Sequence, residues 1–510
     1  MVLRYLPADR DQLFLLPLDM REWLPQGHLA FFVSDVVDEL GTTALHVGHH
    51  HDAGGRPGYD PEMLLALLVY AYCTGVRSSR QMERLCEVDI GYRVICANRR
   101  PDHSTIARFR QAQDGLVQGL FVQALALCGR AGLAQVGVVA VDGTKMGADA
   151  SMAANRTAEQ VAAMFAEADA QDAAEDRLFG DQRGDELPPA LADRTSRRAR
   201  LKAALEELRA RQAAEDEQAE ERSSAFVEAE RAAALAGAVP GGRHPRGREV
   251  ARAEATLGLA RRRAAEHRKE VERRCAAAGT KPHGPSPDVE NDTAVKRARA
   301  ALARAKAKAA PAPRGPARSN TTDPDSRVMK GLQGYLQGYN AQAAVNEAGV
   351  VVAAEVTQQA FDVGQLRPML AALEANLAAA GISTSVGTAL FDAGYWSLAN
   401  ACAPGPDRLI AREKSWKARR TAAACGPVPE GAGVAEAMAH RLATEEGRAL
   451  YAKRSTTVEP VFGQLKALRG YRRFSRRGLG AVQAEWKLMT MAHNLLKLFR
   501  ARQALLLASC

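Results

Sequence analysis

The stretch VGVVAVDG, residues 136–143, decides how this chain is expected to fold. Its apolar run is typical of a strand buried on both faces, and it leads to Asp142 and a glycine. A second apolar stretch, residues 386–391, leads in the same way to Asp392, within the sequence FDAGYW. Carboxylate oxygens at the ends of buried strands are the ligands that hard divalent cations prefer. The sequence therefore predicts an α/β sheet with an acidic pocket for Mg²⁺ or Mn²⁺.

A third carboxylate lies in the stretch TTVEPVFGQLK, residues 456–466. Glu459 and Lys466 are seven residues apart, so on a helix both lie on one face, where they suit a metal ion and a DNA phosphate. The alternative is a purely structural role, in which Thr456 and Glu459 form a capping box at a helix start. For Asp142 and Asp392 the corresponding alternative is a turn-forming Asp before glycine. Each alternative stays open when its residue is taken singly.

The order of elements predicts the architecture. A strand at 136–142 is followed by a hairpin over 339–356, a helix over 365–380, a strand at 386–391 and a helix from Thr456. This order matches a ribonuclease H-like mixed sheet with helices on both faces. The domains predicted are an all-α N-terminal DNA-binding domain at 1–132, the first part of the catalytic sheet at 133–154, a helical insert at 155–321, and the rest of the catalytic domain with basic helices at 322–510.

The first 132 residues predict short helices separated by tight turns. Asp60 before Pro61, Ser78 and Ser104 are the expected helix caps. Arginines on these helices, Arg108 and Arg110 among them, favour a helix-turn-helix-like unit that binds DNA. Helical trios also occur in many other kinds of protein.

The insert at 155–321 has a different composition, rich in Ala, Glu and Arg and poor in large apolar residues. These are good helix formers, which favours a helical hairpin or coiled-coil arm. Partial disorder is the alternative, because such helices bury little apolar surface.

Charge is concentrated at the C-terminal end of the chain. Residues 451–510 contain twelve Lys and Arg against two Glu, a net charge equal to the +10 of the whole chain. A basic surface beside an acidic pocket suits a polyanion such as DNA, although a solvated basic face is the alternative. The arginines expected to follow the DNA backbone are Arg469, Arg472, Arg473, Arg476 and Arg477.

Cysteine spacing and the N-terminus bear on the compartment. The eight Cys form no C-x-x-C pair, which argues against a zinc site and gives no support to a disulfide framework. The first residues have no signal-peptide pattern, and the longest apolar run is too short to cross a bilayer. We expect a cytoplasmic, nucleoid-associated protein without membrane contact.

Together these motifs resemble the DDE-type transposases of bacterial insertion sequences. The resemblance rests on Asp142-Gly143, on DAGY at 392–395, and on the segment from Tyr451 through Arg454 and Glu459 to Lys466. GYDP at 58–61 and PDHST at 101–105 are similar to the helical N-terminal domain of one branch of that group. One departure is that Arg454 and Glu459 have four residues between them, where the family commonly has three.

The resemblance implies a function and a site. Asp142, Asp392 and Glu459 would hold two Mg²⁺ or Mn²⁺ ions and catalyse cutting and joining of insertion-sequence ends. Lys466 would contact DNA; for Tyr451 and Arg454 the altered spacing leaves that role open. A homodimer is expected, because two DNA ends must be brought together.

Two alternatives to this function stay open. One is a metal-dependent nuclease that cuts without joining, and the other is a catalytically inactive DNA-binding regulator. Two further residues lie in suggestive contexts: Trp396 could stack on a base or lie in the core, and Asp362 is expected to cap a helix.

Overall fold

A computed structural model describes residues 19–46, 58–179, 248–280, 289–308, 318–331, 334–412 and 423–508, with scattered positions between 202 and 213. Residue contacts divide the chain into two compact units. The first unit comprises Met1–Asn155 and Asn320–Cys510, and the second is Arg156–Ser319. The N-terminal helices and the mixed sheet therefore belong to one compact unit.

The N-terminal region is helical, as predicted. Asp60 and Ser78 cap their helices, each accepting a hydrogen bond from a backbone N–H of the first turn. The predicted cap Ser104 is wrong: Asp102 accepts the N–H of Ser104 at 3.0 Å, and the helix begins at His103. The helices are α1 Leu29–Glu39, α2 Pro61–Cys73, α3 Ser79–Val88, α4 Ile90–Ile95, α5 His103–Ala112 and α6 Val117–Arg130.

The strands in chain order are β1 Val138–Gly147, β2 Asn155–Thr157, β3 Arg318–Asn320, β4 Arg327–Gly331, β5 Gly334–Asn346, β6 Val351–Thr357, β7 Thr388–Phe391 and β8 Asp407–Ile410. Six of them form one sheet in the order β4-β5-β1-β7-β8, with β6 also paired to β5, while β2 pairs with β3. β1 is antiparallel to β5 and parallel to β7; β7 is parallel to β8. The predicted mixed sheet and hairpin are confirmed.

The second unit is helical where it is described. Its helices are α7 Ala158–Phe179, α8 Arg248–Ala277 and α9 Thr293–Lys308. α8 and α9 pack through Leu257, Val295 and Ala298, which are buried. The apolar strip is narrow, as the composition predicts. Most of residues 180–247 lies outside the described residues.

Both faces of the sheet are covered, and β1 lies between two cores. Val138 and Ala140 pack in a core shared with the N-terminal helices and the last helix, whereas Val139 and Val141 pack in a second core with the helix that follows β6. Alternation along a buried strand produces this arrangement. The remaining helices are α10 Leu366–Ala379, α11 Leu398–Ala401, α12 Val434–Ala443, α13 Glu445–Gly463 and α14 Leu479–Ala508.

Within the described parts of the chain, no helix combines the length and apolar character needed to cross a bilayer.

Candidate active site

Strands β1 and β7 bring Asp142 and Asp392 together. The strands are parallel, and their register pairs Val141 with Phe391, so the next residue on each is an aspartate. β7 ends at Phe391, whereas β1 continues to Gly147, which corrects the prediction that Asp142 ends its strand and rules out a turn there. Asp392 does cap a short turn, because its carboxylate accepts the N–H of Gly394 at 2.9 Å.

Burial and like charge act on both carboxylates. Burial is the largest influence on Asp142 and raises its pKa to about 7, with smaller contributions from the negative charges of Asp392 and Asp362. The Arg454 guanidinium opposes this rise. Burial also raises the pKa of Asp392. Negative charges confined in this way favour the approach of a cation.

Glu459 reaches the site from α13. The helix packs against β1 through Val458 and Val461, which are buried, while the Glu459 side chain is 58% exposed. The capping-box alternative is wrong. The helix begins at Glu445 with Thr444 as its cap, and Thr456 lies within it. Glu459 is therefore not held by a backbone N–H at a helix start and is free to face the site.

Arg454 links the first and third carboxylates. Its Nη2 donates to Asp142 Oδ2 at 2.6 Å, and its Nη1 lies 3.7 Å from Glu459 Oε1. The side chain is 14% exposed, and its buried Nε–H has no hydrogen-bond partner among the residues that the structure describes. A guanidinium that still has N–H donors to offer beside two carboxylates can bind a further anion.

Lys466 approaches β1 from a π-helical turn, Gln464–Leu468, that follows α13. Its ammonium donates to the Thr144 hydroxyl and to the Lys145 carbonyl, the latter at 3.0 Å. Burial lowers its pKa. Turns of this kind occur frequently at functional sites.

Tyr451 ties α13 to the end of β7. Its hydroxyl donates to the Phe391 carbonyl at 3.2 Å, directly before Asp392. Burial raises its pKa to about 12, so the hydroxyl keeps its proton. The contact helps hold the second aspartate against the helix that carries the glutamate.

A polar network that the sequence did not predict lies beside these residues. Asp362 Oδ1 accepts from Asn340 Nδ2 at 2.7 Å and from Gln342 Nε2 at 2.8 Å, and Lys145 Nζ is 3.3 Å away. The Tyr395 hydroxyl donates to Gln342 Oε1. Asp362 does stand at the N-cap position of a short 3-10 helix, Val363–Gln365, but its side chain makes no capping hydrogen bond there. The sequence offered one signal, a lysine three residues after Asp142.

Part of the C-terminal basic series is exposed. Arg472 is exposed and donates to the Lys466 carbonyl at 3.3 Å. Arg473 and Arg477 are also exposed, and both pair with Asp149, at 3.1 and 3.0 Å. These three guanidiniums lie close in sequence to Lys466.

Other members of the series are engaged within the unit. Arg476 pairs with Asp114 and is 11% exposed. Arg469 is partly buried, with Nη1 3.4 Å from the His493 ring. Their contacts leave them less surface for a ligand than the exposed members have.

The remaining residues predicted to contact DNA are Arg108 and Arg110 on α5 and Trp396 after β7. Arg108 is exposed on α5, whereas Arg110 donates to the Arg77 carbonyl at 2.9 Å. Trp396 is partly buried against both cores, and the Arg412 guanidinium lies 5.5 Å from its ring centroid. Its ring is already stacked, which favours the packing alternative over a free base-stacking surface.

The donor set fits a hard divalent cation in chemical type, since Asp142, Asp392 and Glu459 all present carboxylates. The Arg454 guanidinium supplies a positive charge beside two of them. Among the described residues, no three His, Cys, Asp or Glu side chains lie close enough to form a metal site as they stand. A cation shared by all three carboxylates would need a shift of the exposed Glu459 side chain or of the guanidinium beside it.

Comparison with protein families adds two matches. A transposase domain (DUF772) matches residues 18–112, and a transposase DDE domain matches residues 418–499. The second range contains Glu459 and Lys466, whereas Asp142 and Asp392 lie outside both ranges. Searches of curated proteins and of solved structures gave no significant match.

Proposed function

We propose that the chain is a DDE transposase of the insertion-sequence type, in line with its two transposase-domain matches, and that it cuts and joins the ends of its element at a site formed by Asp142, Asp392 and Glu459. The observation that carries the proposal is the register of β1 and β7, which makes the two aspartates neighbours beneath the helix that bears the glutamate. This register is stronger evidence than any sequence motif alone that the two carboxylates lie side by side.

We also propose that the catalytic sheet is ribonuclease H-like. The support is the strand order β6-β5-β1-β7-β8, with β5 antiparallel to both β6 and β1, and with β1, β7 and β8 parallel. The long helical unit interrupts this sheet after β1.

Asp142, Asp392 and Glu459 would hold Mg²⁺ or Mn²⁺, and we propose two ions. When bound, such ions supply the positive charge that activates water or a DNA 3′-hydroxyl and stabilises the leaving oxygen. The chain contributes position: strand register fixes two carboxylates, and Tyr451 holds the helix of the third against the end of β7.

Positive side chains would hold the DNA strand at the site. Arg454 has an unused buried Nε–H, and Lys466 presents an ammonium against β1. We propose that both bind phosphate oxygens and that exposed Arg472, Arg473 and Arg477 follow the backbone beyond. Removal of one such contact weakens binding without changing sequence preference.

The N-terminal helices are proposed to recognise the DNA ends, with exposed Arg108 among the contacts. A homodimer is proposed because two ends must be joined in one reaction. Association with the nucleoid would follow from DNA binding.

Substitution of the carboxylates tests the proposal. Asp142→Asn, Asp392→Asn and Glu459→Gln should each abolish metal-dependent cleavage of a labelled duplex that carries the DNA flanking the gene, because each removes an anionic ligand. Binding of the same duplex in EDTA should survive. Glu347→Gln is the matched control, since this exposed glutamate pairs with Lys453 at 2.8 Å.

The products separate the remaining alternatives. Metal-dependent nicks at the element boundary with strand-transfer products support the transposase. Nicks without joining would favour a nuclease, and specific binding without nicks would favour an inactive regulator. Full cleavage by any one carboxylate variant would remove that residue from the site.

A further inference from the structure

Lys145 is a partly buried cation beside the site that the catalytic proposal does not use. It lies on β1, three residues after Asp142, on the part of the strand that continues past the end of β7. Its side chain is 17% exposed, and its ammonium is 3.3 Å from Asp362. The positive charge of Lys145 also acts on Asp392, where it lowers the pKa. The ammonium therefore lies within electrostatic reach of Asp392.

Asp362 is held rigidly. Its carboxylate is hydrogen-bonded directly by Asn340 and Gln342, and Tyr395 is linked to it through Gln342. All three of these residues are fully buried. Oδ1 of Asp362 receives two amide hydrogen bonds as well as the Lys145 contact, and Oδ2 receives no hydrogen bond from the described residues. A carboxylate fixed by buried amides gives its partner ammonium a defined position.

Two motif glycines make room for this carboxylate. A β-carbon at Gly143 would lie 2.5 Å from Asp362 Oδ1, and one at Gly394 would lie 3.4 Å from Asp362 Oδ2 and 3.0 Å from Asp392 Oδ1. Asp362 thus reaches the two segments that carry the catalytic aspartates. The close approach of the Asp362 carboxylate explains why glycine stands at 143 and at 394.

The hydrogen bonds among the described residues do not satisfy every buried acceptor of this network. Asn340 is fully buried and pairs with Lys145 in the β1–β5 register, yet within the described part of the chain its Oδ1 has no hydrogen-bond partner. Both hydrogens of its Nδ2 are used, by Asp362 Oδ1 and by the Gln359 carbonyl, which fixes the orientation of the amide. A purely structural network normally satisfies its buried acceptors.

We propose that Lys145 is a further substrate-contacting residue, whose ammonium binds a phosphodiester oxygen of the DNA strand at the carboxylates, and that Asp362 is the positioning residue that aims it. The proposal rests on the proposed function. Lys466, on the π-helical turn, donates to the Thr144 hydroxyl and to the Lys145 carbonyl, so its ammonium lies against the strand that also carries Lys145. Phosphate binding would offset the repulsion between the two ammonium groups and that of the nearby carboxylates.

The chain offers a matched control for Lys145. Lys487 is 12% exposed and pairs with Glu355 at 3.3 Å, the distance seen for Lys145 and Asp362. Lys145→Gln and Lys487→Gln therefore remove the same group from ion pairs of equal length and similar burial. Lys145→Arg keeps the charge and serves as the conservative variant.

The first readout is the salt dependence of binding to the labelled duplex of flanking DNA, measured in EDTA. Lys145→Gln should reduce the slope of log affinity against log salt by about 1, the change expected for one lost phosphate contact. Lys487→Gln and Lys145→Arg should keep the wild-type slope. A wild-type slope in Lys145→Gln would overturn the proposal, because a structural lysine changes stability and leaves the slope unchanged.

The second readout is cleavage rate. Asp362→Asn should lower kcat at least tenfold while keeping the salt slope, since Lys145 is still present but no longer aimed. Adding Lys145→Gln to Asp362→Asn should cause little further loss. Fully additive losses would overturn the positioning role. If the wild type neither binds nor cuts this DNA, the proposed function fails; if it does both and Lys145→Gln keeps the wild-type slope, this inference fails alone.

Discussion

Gly143 is the residue on which the geometry around Asp142 depends. A β-carbon there would press on Gln342 and lie 2.5 Å from Asp362 Oδ1 and 2.9 Å from Asn340 Oδ1. Gln342 and Asn340 are fully buried and hydrogen-bonded, so they have little room to move. The small residue permits the polar network to touch the strand that carries Asp142.

Gly143→Ala should therefore destabilise the protein by ~1–3 kcal/mol, the usual cost of an overpacked core. Gly137→Ala is the control from the segment just before the same strand, where a β-carbon would come no closer than 3.9 Å to a neighbouring atom. Urea unfolding of both variants measures the difference. Equal stability of the two variants would mean that the network relaxes without cost and does not fix the site.

At the scale of elements, α13 decides where Glu459 points. The sequence T-x-x-E before Pro460 favours a helix start at Thr456, because proline is common in a first turn. In the structure the helix begins eleven residues earlier, at Glu445, and Pro460 lies near its end. Packing of Val458 and Val461 against the sheet stabilises this longer helix.

The two threonines give a direct test of that helix start. Thr444 Oγ1 accepts the N–H of Gly447 at 3.0 Å, so Thr444→Ala should cost about 1 kcal/mol. Thr456 is exposed within the helix, and Thr456→Ala should leave stability unchanged or slightly raised, since alanine is the better helix former. Thermal unfolding compares them. A greater loss for Thr456→Ala would place the helix start where the sequence motif suggested.

At the scale of the whole molecule, the long insertion leaves and rejoins the first unit at one point. The N–H of Thr321 donates to the Ala154 carbonyl at 3.1 Å, and Asn320 Nδ2 donates to the Ser151 carbonyl at 2.7 Å. Chain ends this close can be joined by a short connection. The first unit also has two hydrophobic cores of its own.

Replacement of residues 156–319 by a short Gly-Ser linker should therefore leave a folded first unit. We expect one cooperative thermal transition and a circular dichroism spectrum of mixed α/β character. A chain that aggregates or melts without cooperativity would mean that Arg156–Ser319 is needed for folding. If the shortened chain folds and still cleaves DNA, the insertion has a role outside catalysis.

Local sequence patterns predicted many of the helices and strands of this protein. Alternating and continuous apolar runs predicted the central strands, and the apolar runs that precede Asp142 and Asp392 marked both residues as candidates. The basic C-terminal segment and the helical N-terminal region followed from composition and caps. These features depend on neighbours a few residues apart, which a sequence displays directly.

Tertiary structure decided which of these groups meet. Arg454 and Asp142 are 312 residues apart, and Lys145 and Asp362 are 217 apart, so no local pattern predicts either pair. Strand register and the packing of α13 bring them within contact distance. The sequence determined which side chains can bind a cation or a phosphate; long-range pairing of strands determined which of them share a site, because register is a property of the assembled sheet.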